Sequence, residues 1–138
     1  MQLAEAIDWA AGRQVGALIT IRKDGRPQSS DITYALEGDT FIISITDDRA
    51  KTHNMRRDPR VVLHLSDPAS WTYLSFDGTV ELLPTTTNPG DATSDALVAY
   101  YRAAAGEHPD WDEYRRAMVD QKRLVARFTP TAVVGHIN

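Results

Sequence analysis

The chain has 138 residues, 42% hydrophobic and 25% charged, with a net charge of -4 and no cysteine. That composition fits one globular domain, 1–138, and excludes disulfides, thiolate catalysis and cysteine metal sites. An acidic balance argues against a nucleic-acid binder, and no apolar run approaches the roughly 20 residues of a membrane span. Met1–Ala11 carries Glu5 and Asp8, unlike a signal peptide, and the absence of cysteine suits a cytoplasmic protein.

In chain order, Leu3, Ala6, Ile7 and Ala10 repeat with helical spacing and predict a helix over Gln2–Gly12, with Gly12 as C-cap. Val15–Arg22 is rich in β-branched residues and ends at Asp24-Gly25, a pair that favours a tight hairpin turn. The return strand, about Pro27–Leu36, is polar, with Gln28, Ser29, Ser30, Asp31 and Thr33. Such a strand is either a solvent-facing surface or a row of groups along the edge of a flat ligand. A third strand, Thr40–Thr46, carries Phe41-Ile42-Ile43 as its buried run and Ser44-Ile45-Thr46 at its end.

The next stretch, Asp47–Arg60, holds Arg49, Lys51, Arg56, Arg57 and Arg60 against one interior carboxylate, Asp58. It reads as a short helix capped by Asp47 or Asp48 and ended by Pro59. Arg49 and Lys51 in the first turn oppose the macrodipole, which makes sense if an anion sits there among free amides, the cations and the Thr52 hydroxyl. A solvated basic helix with local Asp47 and Asp48 pairing is the alternative. Two more strands follow, Arg60–Ser66 and Trp71–Leu83, then helices over Ala92–Ala105 and Trp111–Lys122. Leu124–Thr129 and Ala132–Ile137, split by Pro130, close the chain.

Roughly seven short strands with tight turns imply a closed or nearly closed antiparallel barrel with flanking helices. A barrel this small fills its own interior, so a sizeable ligand binds outside it or at a subunit boundary. Apolar residues on both faces of Val15–Ile21 call for cover by a helix or a second copy. The four histidines show no metal-ligand spacing, and no metal site is expected. No P-loop, GxGxxG or nucleophile elbow occurs. Trp71 and Tyr73, two apart, either stack on a ring or pack in the core or a dimer; Tyr100, Tyr101, Trp111 and Tyr114 read as helix-packing residues.

The run Gly16-Ala17-Leu18-Ile19-Thr20-Ile21-Arg22-Lys23-Asp24-Gly25-Arg26-Pro27-Gln28 resembles the opening hairpin of the split β-barrel flavin-binding proteins, the pyridoxamine-5′-phosphate-oxidase-like group. Arg49-Ala50-Lys51-Thr52-His53-Asn54 with Arg56-Arg57-Asp58-Pro59-Arg60 is similar to its phosphate-binding helix, in the form of the branch that uses the deazaflavin coenzyme F420. Tyr101-Arg102, Gly106-Glu107-His108, Asp110-Trp111, Tyr114-Arg115 and Ala117-Met118-Val119 resemble the same branch, and the likeness runs over about Gly16–Val134.

The resemblance implies a mainly β (α+β) split barrel of about six to seven strands, forming a homodimer with cofactor sites at the subunit boundary. It implies a reductase that passes hydride from reduced coenzyme F420 to an unsaturated small molecule. The alternatives are an FMN-dependent pyridoxamine-phosphate-type oxidase and a non-catalytic cofactor-binding protein. The implied cofactor contacts are Arg49, Ala50, Lys51, Thr52 and Asn54 at the phosphate and Arg57 toward the charged tail. Gln28, Ser30, Asp31, Ile32, Ser44 and Ile45 run beside the ring, and Trp71 and Tyr73 stand on a neighbouring wall, in one chain or its partner. His53 stands where relatives often carry Arg, and Asp31 where Asn is expected; a carboxylate accepts but does not donate unless protonated. No side chain stands out as proton donor.

Overall fold

A computed structural model describes all 138 residues. Six antiparallel strands close into a barrel: β1 (Val15–Ile21), β2 (Pro27–Glu37), β3 (Thr40–Thr46), β4 (Arg60–Asp67), β5 (Thr72–Leu82) and β6 (Arg123–His136). Their order around the barrel is β1-β2-β3-β6-β5-β4, with β4 pairing back onto β1. Four helices flank it: α1 (Leu3–Ala11), α2 (Ala50–Arg57), α3 (Ala92–Ala105) and α4 (Trp111–Asp120).

Alternation decides which side chains fill the barrel. On β1, Leu18 and Thr20 are fully buried while Ala17, Ile19 and Ile21 are only partly covered on the outer face. Phe41, Phe76 and Phe128 meet in the interior with ring centroids 5.3 and 6.0 Å from Phe41, and Tyr34 meets Phe41 edge-on. The Tyr34 hydroxyl donates to the Ala10 carbonyl, so α1 seals one end of the barrel. Burial pushes that phenol up to about 12. A second, smaller core lies outside the barrel, where Leu97, Val98, Tyr114 and Met118 pack α3 and α4 onto Ile42 and Val125.

Two expectations are corrected. Pro130 does not split the last strand: β6 is continuous, because Pro130 pairs with Gly78 at a register shift between Asp77 and Gly78 that leaves Thr131 unpaired. A proline, which lacks a ladder donor, is tolerated at such a bulge. Gly78 makes it possible, since a Cβ there would overlap the Thr129 carbonyl and the Phe128 ring. Nor does Trp71 belong to β5; it ends a one-turn 3₁₀ segment in the left-handed region at φ 55°.

The barrel is split between β2 and β3. These strands pair only from Tyr34↔Ile43 to Glu37↔Thr40. Beyond that point β2 continues alone with β1, from Val15↔Thr33 to Ile21↔Pro27, while Ser44–Thr46 of β3 continue with β6. The polar strand is therefore one arm of a fork, and the backbone groups on its open edge have no neighbouring strand.

Candidate functional site

Helix α2 sits in the fork and stitches its arms together. Asn54 Nδ2 donates to Thr20 Oγ1 at 3.1 Å and to Gln28 Oε1 at 3.0 Å, reaching β1 and β2. Thr52 Oγ1 donates to the Thr46 carbonyl at 2.7 Å, reaching β3. Thr52 and Asn54 are buried, so these two polar side chains hold the helix in place.

The start of α2 differs from the sequence expectation. The N-cap is Arg49, without a side-chain hydrogen bond. Asp47 turns away, because its carboxylate is bound by Arg56 and accepts from Thr85 Oγ1 at 2.8 Å. Asp48 accepts from Thr46 Oγ1. Neither aspartate caps the first turn, and the amides of Ala50 and Lys51 have no partner within the chain.

The cations around those amides are also uncompensated. Arg49, Lys51 and Arg123 form no ion pair, whereas Arg56 pairs with Asp47 and Arg60 with Asp58. Burial, followed by repulsion from Arg49 and Arg123, pulls the Lys51 ammonium below its ordinary value. Arg123 lies opposite Thr46 in the β3–β6 pairing and so enters the site from a remote part of the chain. Sequence reasoning missed it. Only the register of β6, which no local motif carries, could have found it.

A cleft of about 510 Å³ runs from this charged end along the fork. Asp31, Ile32 and Thr33 of β2 and Ser44 of β3 form one side, with Lys51 and Arg123 at its base. The other side is Tyr100 and Tyr101 of α3, His108 of the α3–α4 connection, and Tyr114 and Met118 of α4. A second hollow beside Thr46, Asp48, Arg49 and Ala50 shares Arg123 with it, Asp48 being its one carboxylate. The three tyrosines read from sequence as packing residues do pack, but all three also wall the cleft.

The implied contacts divide by position. Arg49, Ala50, Lys51, Asp31, Ile32 and Ser44 surround the two hollows. Ser30 lies on the open arm, and its hydroxyl is buried with no hydrogen-bond partner in the chain. Gln28, Thr52 and Asn54 are engaged in the stitching bonds. Ile45 is 2% exposed with its side chain in the core, so only its backbone faces outward. Arg57, on the last turn of α2, has no carboxylate partner and donates to Asn54 Oδ1 at 3.2 Å. Trp71 and Tyr73 line neither hollow; they are 83% and 46% exposed at the start of β5, Tyr73 stacking on His64 at 5.9 Å.

A split antiparallel barrel with a short basic helix in its fork defines the fold class. Residues 3–136 match the family model described as pyridoxamine 5′-phosphate oxidase, and the chain belongs to that family. Among solved structures it is similar to a conserved hypothetical protein from Mycobacterium tuberculosis (26% identity, TM-score 0.74), covering 98% of this chain and 84% of that one. It is also similar to an F420 reductase (28% identity, TM-score 0.61), covering 88% and 89% of the two chains. A heme binding protein from Mycobacterium smegmatis, 24% identical with TM-score 0.71, shares the fold over 99% of this chain and 54% of its own length. No helix is long and apolar enough to cross a membrane.

Proposed function

We propose that this protein is a coenzyme F420-dependent reductase that acts on an unsaturated small molecule. The observation that carries the reading is the unpaired set at the start of α2: two free amides and the uncompensated cations Arg49, Lys51 and Arg123. A phosphate there would receive the amide and side-chain donors together, in the geometry that helix N-termini offer anions. The open edge of β2, the partnerless Ser30 hydroxyl and the Ser44 side of β3 suit the polar rim of a planar ring. The similarity to an F420 reductase over most of both chains supports the same choice.

The deazaflavin supplies hydride once bound and reduced; the chain's part is to bind, orient and exclude water. Arg49, Lys51 and Arg123 hold the phosphate, and the stitching bonds of Asn54 and Thr52 fix the helix that presents it. Arg56 and Arg60 are paired with Asp47 and Asp58 while Arg57 has no carboxylate, so the acidic tail follows the last turn of α2. Asp31 lines the cleft as an acceptor.

The same reading includes a homodimer. Ile19 lies opposite Val62 on the outer face, within a groove that also takes in Ile21, Val61 and Gly78. Val134 is 65% exposed. A second copy covers this apolar surface, and Trp71 and Tyr73 then stand on the partner's cleft. Parallel fluorescence titrations with coenzyme F420 and FMN test the cofactor. The reading expects tight binding of the deazaflavin and weak binding of FMN, followed by oxidation of the reduced deazaflavin with an electron-poor alkene. Preference for FMN, or for heme, contradicts it.

A further inference from the structure

Helix α3 ends at Gly106, whose φ of 84° suits glycine, and the turn to α4 is fixed at several points. Glu107 accepts from Arg102 Nε at 2.7 Å and from Trp111 Nε1 at 3.1 Å. Asp110 caps α4 by accepting from the Glu113 amide. The Asp110 amide in turn donates to His108 Nδ1 at 2.9 Å. An accepting Nδ1 carries no proton, so the ring is the neutral tautomer with its hydrogen on Nε2. Tyr101, Tyr114 and Trp111 surround it, with centroids at 5.2, 5.5 and 5.7 Å.

His108 lines the cleft, and its Nε2 has no partner in the chain. The neighbouring phenols are mostly committed: Tyr114 donates to the Leu97 carbonyl at 2.7 Å and Tyr100 to the Thr33 carbonyl at 3.4 Å. His108 Nε2–H is thus a donor on a rigid mount, opposite the fork whose two arms carry Asp31 and Ser44. We propose that it binds the carbonyl oxygen of an enone substrate, an inference that rests on the reading of the cleft as a hydride-transfer site.

The chemistry balances with reduced coenzyme F420 as the two-electron donor, which would be oxidised as its C–H bond to the transferred hydride breaks, and with water as the proton source. Hydride addition forms a C–H bond at the β carbon and breaks the C=C π bond. The displaced electron pair moves onto the carbonyl oxygen as an enolate, and water then protonates the α carbon. The enolate oxygen gains negative charge as the C–H bond forms, so a fixed N–H aimed at it is worth most in the transition state. A neutral imidazole does this without giving up its proton, the role that a neutral histidine plays in polarising the substrate carbonyl of triosephosphate isomerase. The tyrosine wall gives a flat conjugated substrate an apolar bed.

The test uses full-length protein saturated with oxidised coenzyme F420, with cyclohexenone as probe and cyclohexene as the control without a carbonyl. Nitrogen NMR of isotope-labelled histidine, with His108 assigned by its loss in His108→Gln, is expected to show an unprotonated Nδ1 and a protonated Nε2 at neutral pH. The Nε2–H resonance moves with cyclohexenone and not with cyclohexene. Enone affinity falls about 3- to 10-fold in His108→Phe, which keeps a ring but lacks the donor. It is retained in His108→Gln, which restores an N–H donor, and in Arg127→Gln, a change in a separate hollow. A proton on Nδ1, a resonance indifferent to the enone, or wild-type affinity in His108→Phe overturns the proposal. Coenzyme F420 titration of the same samples reports separately on the cofactor reading; if that fails, the enone titration is read on cofactor-free protein and still decides the role of His108.

Discussion

Asn54 donates through one amide nitrogen to both Thr20 and Gln28, at 3.1 and 3.0 Å, and so ties the basic helix to the open arm of the fork. The bond does two jobs. It satisfies a fully buried threonine hydroxyl, and it sets the distance between the first turn of α2 and the edge of β2. Asn54→Ala leaves Thr20 and Gln28 without their donor, which costs about 1–3 kcal/mol. Urea unfolding is expected to show that loss, and cofactor affinity is expected to fall in the folded variant. An unchanged midpoint contradicts the stitching role.

Arg123 is the cation that only tertiary structure brings to the site. Arg123→Gln removes one charge-assisted contact worth about 1.5–3 kcal/mol, or roughly 10- to 150-fold in affinity for a phosphate-bearing cofactor. Arg127, the next arginine on β6, pairs with Ile42 in the strand register and lies away from the cleft. Arg127→Gln is the control and is expected to bind as wild type.

Burial of Lys51, with repulsion from Arg49 and Arg123, has a signature in stability. The folded state holds Lys51 below its ordinary value, so between that lowered value and the ordinary one the unfolded chain binds the extra proton. Stability of the ligand-free protein from this group therefore rises as pH increases through that window. A bound phosphate reverses the sign, because it favours the charged ammonium. Cofactor affinity is expected to fall as pH rises through the lowered value, earlier than an ordinary lysine would allow. Lys51→Met is expected to melt higher than wild type without ligand and to lose the alkaline limb of the binding curve.

Gly78→Ala tests the seam that carries β6 past Pro130. The added methyl meets the Thr129 carbonyl and the Phe128 ring, backbone and core groups that do not yield readily. A loss of at least about 3 kcal/mol is expected in thermal or urea unfolding. A near-neutral result places the bulge elsewhere.

Much of the barrel was legible in the sequence, because its strands alternate and its turns carry Asp24-Gly25 and Glu37-Gly38-Asp39. The basic helix stood out by charge, and its place beside the polar strand followed from the resemblance. What stayed hidden depends on long-range partners. Asp47 looked like a cap until Arg56 and Thr85 claimed its carboxylate. Thr52 looked like a free phosphate donor, yet its hydroxyl reaches the Thr46 carbonyl. Pro130 looked like a strand break, since the bulge that accommodates it is made by Gly78 on another strand. Local rules describe the groups a residue offers, and packing decides which of them remain free.

The start of α2 is the proposed site of the cofactor phosphate. A fluorescence titration of oxidised coenzyme F420 against wild type and Lys51→Ala, run side by side, tests it most directly. Binding by the wild type and a loss of at least about tenfold in the variant are expected, with the ligand-free variant at least as stable as the parent. Affinities within about twofold of each other, or no binding by the wild type, contradict it.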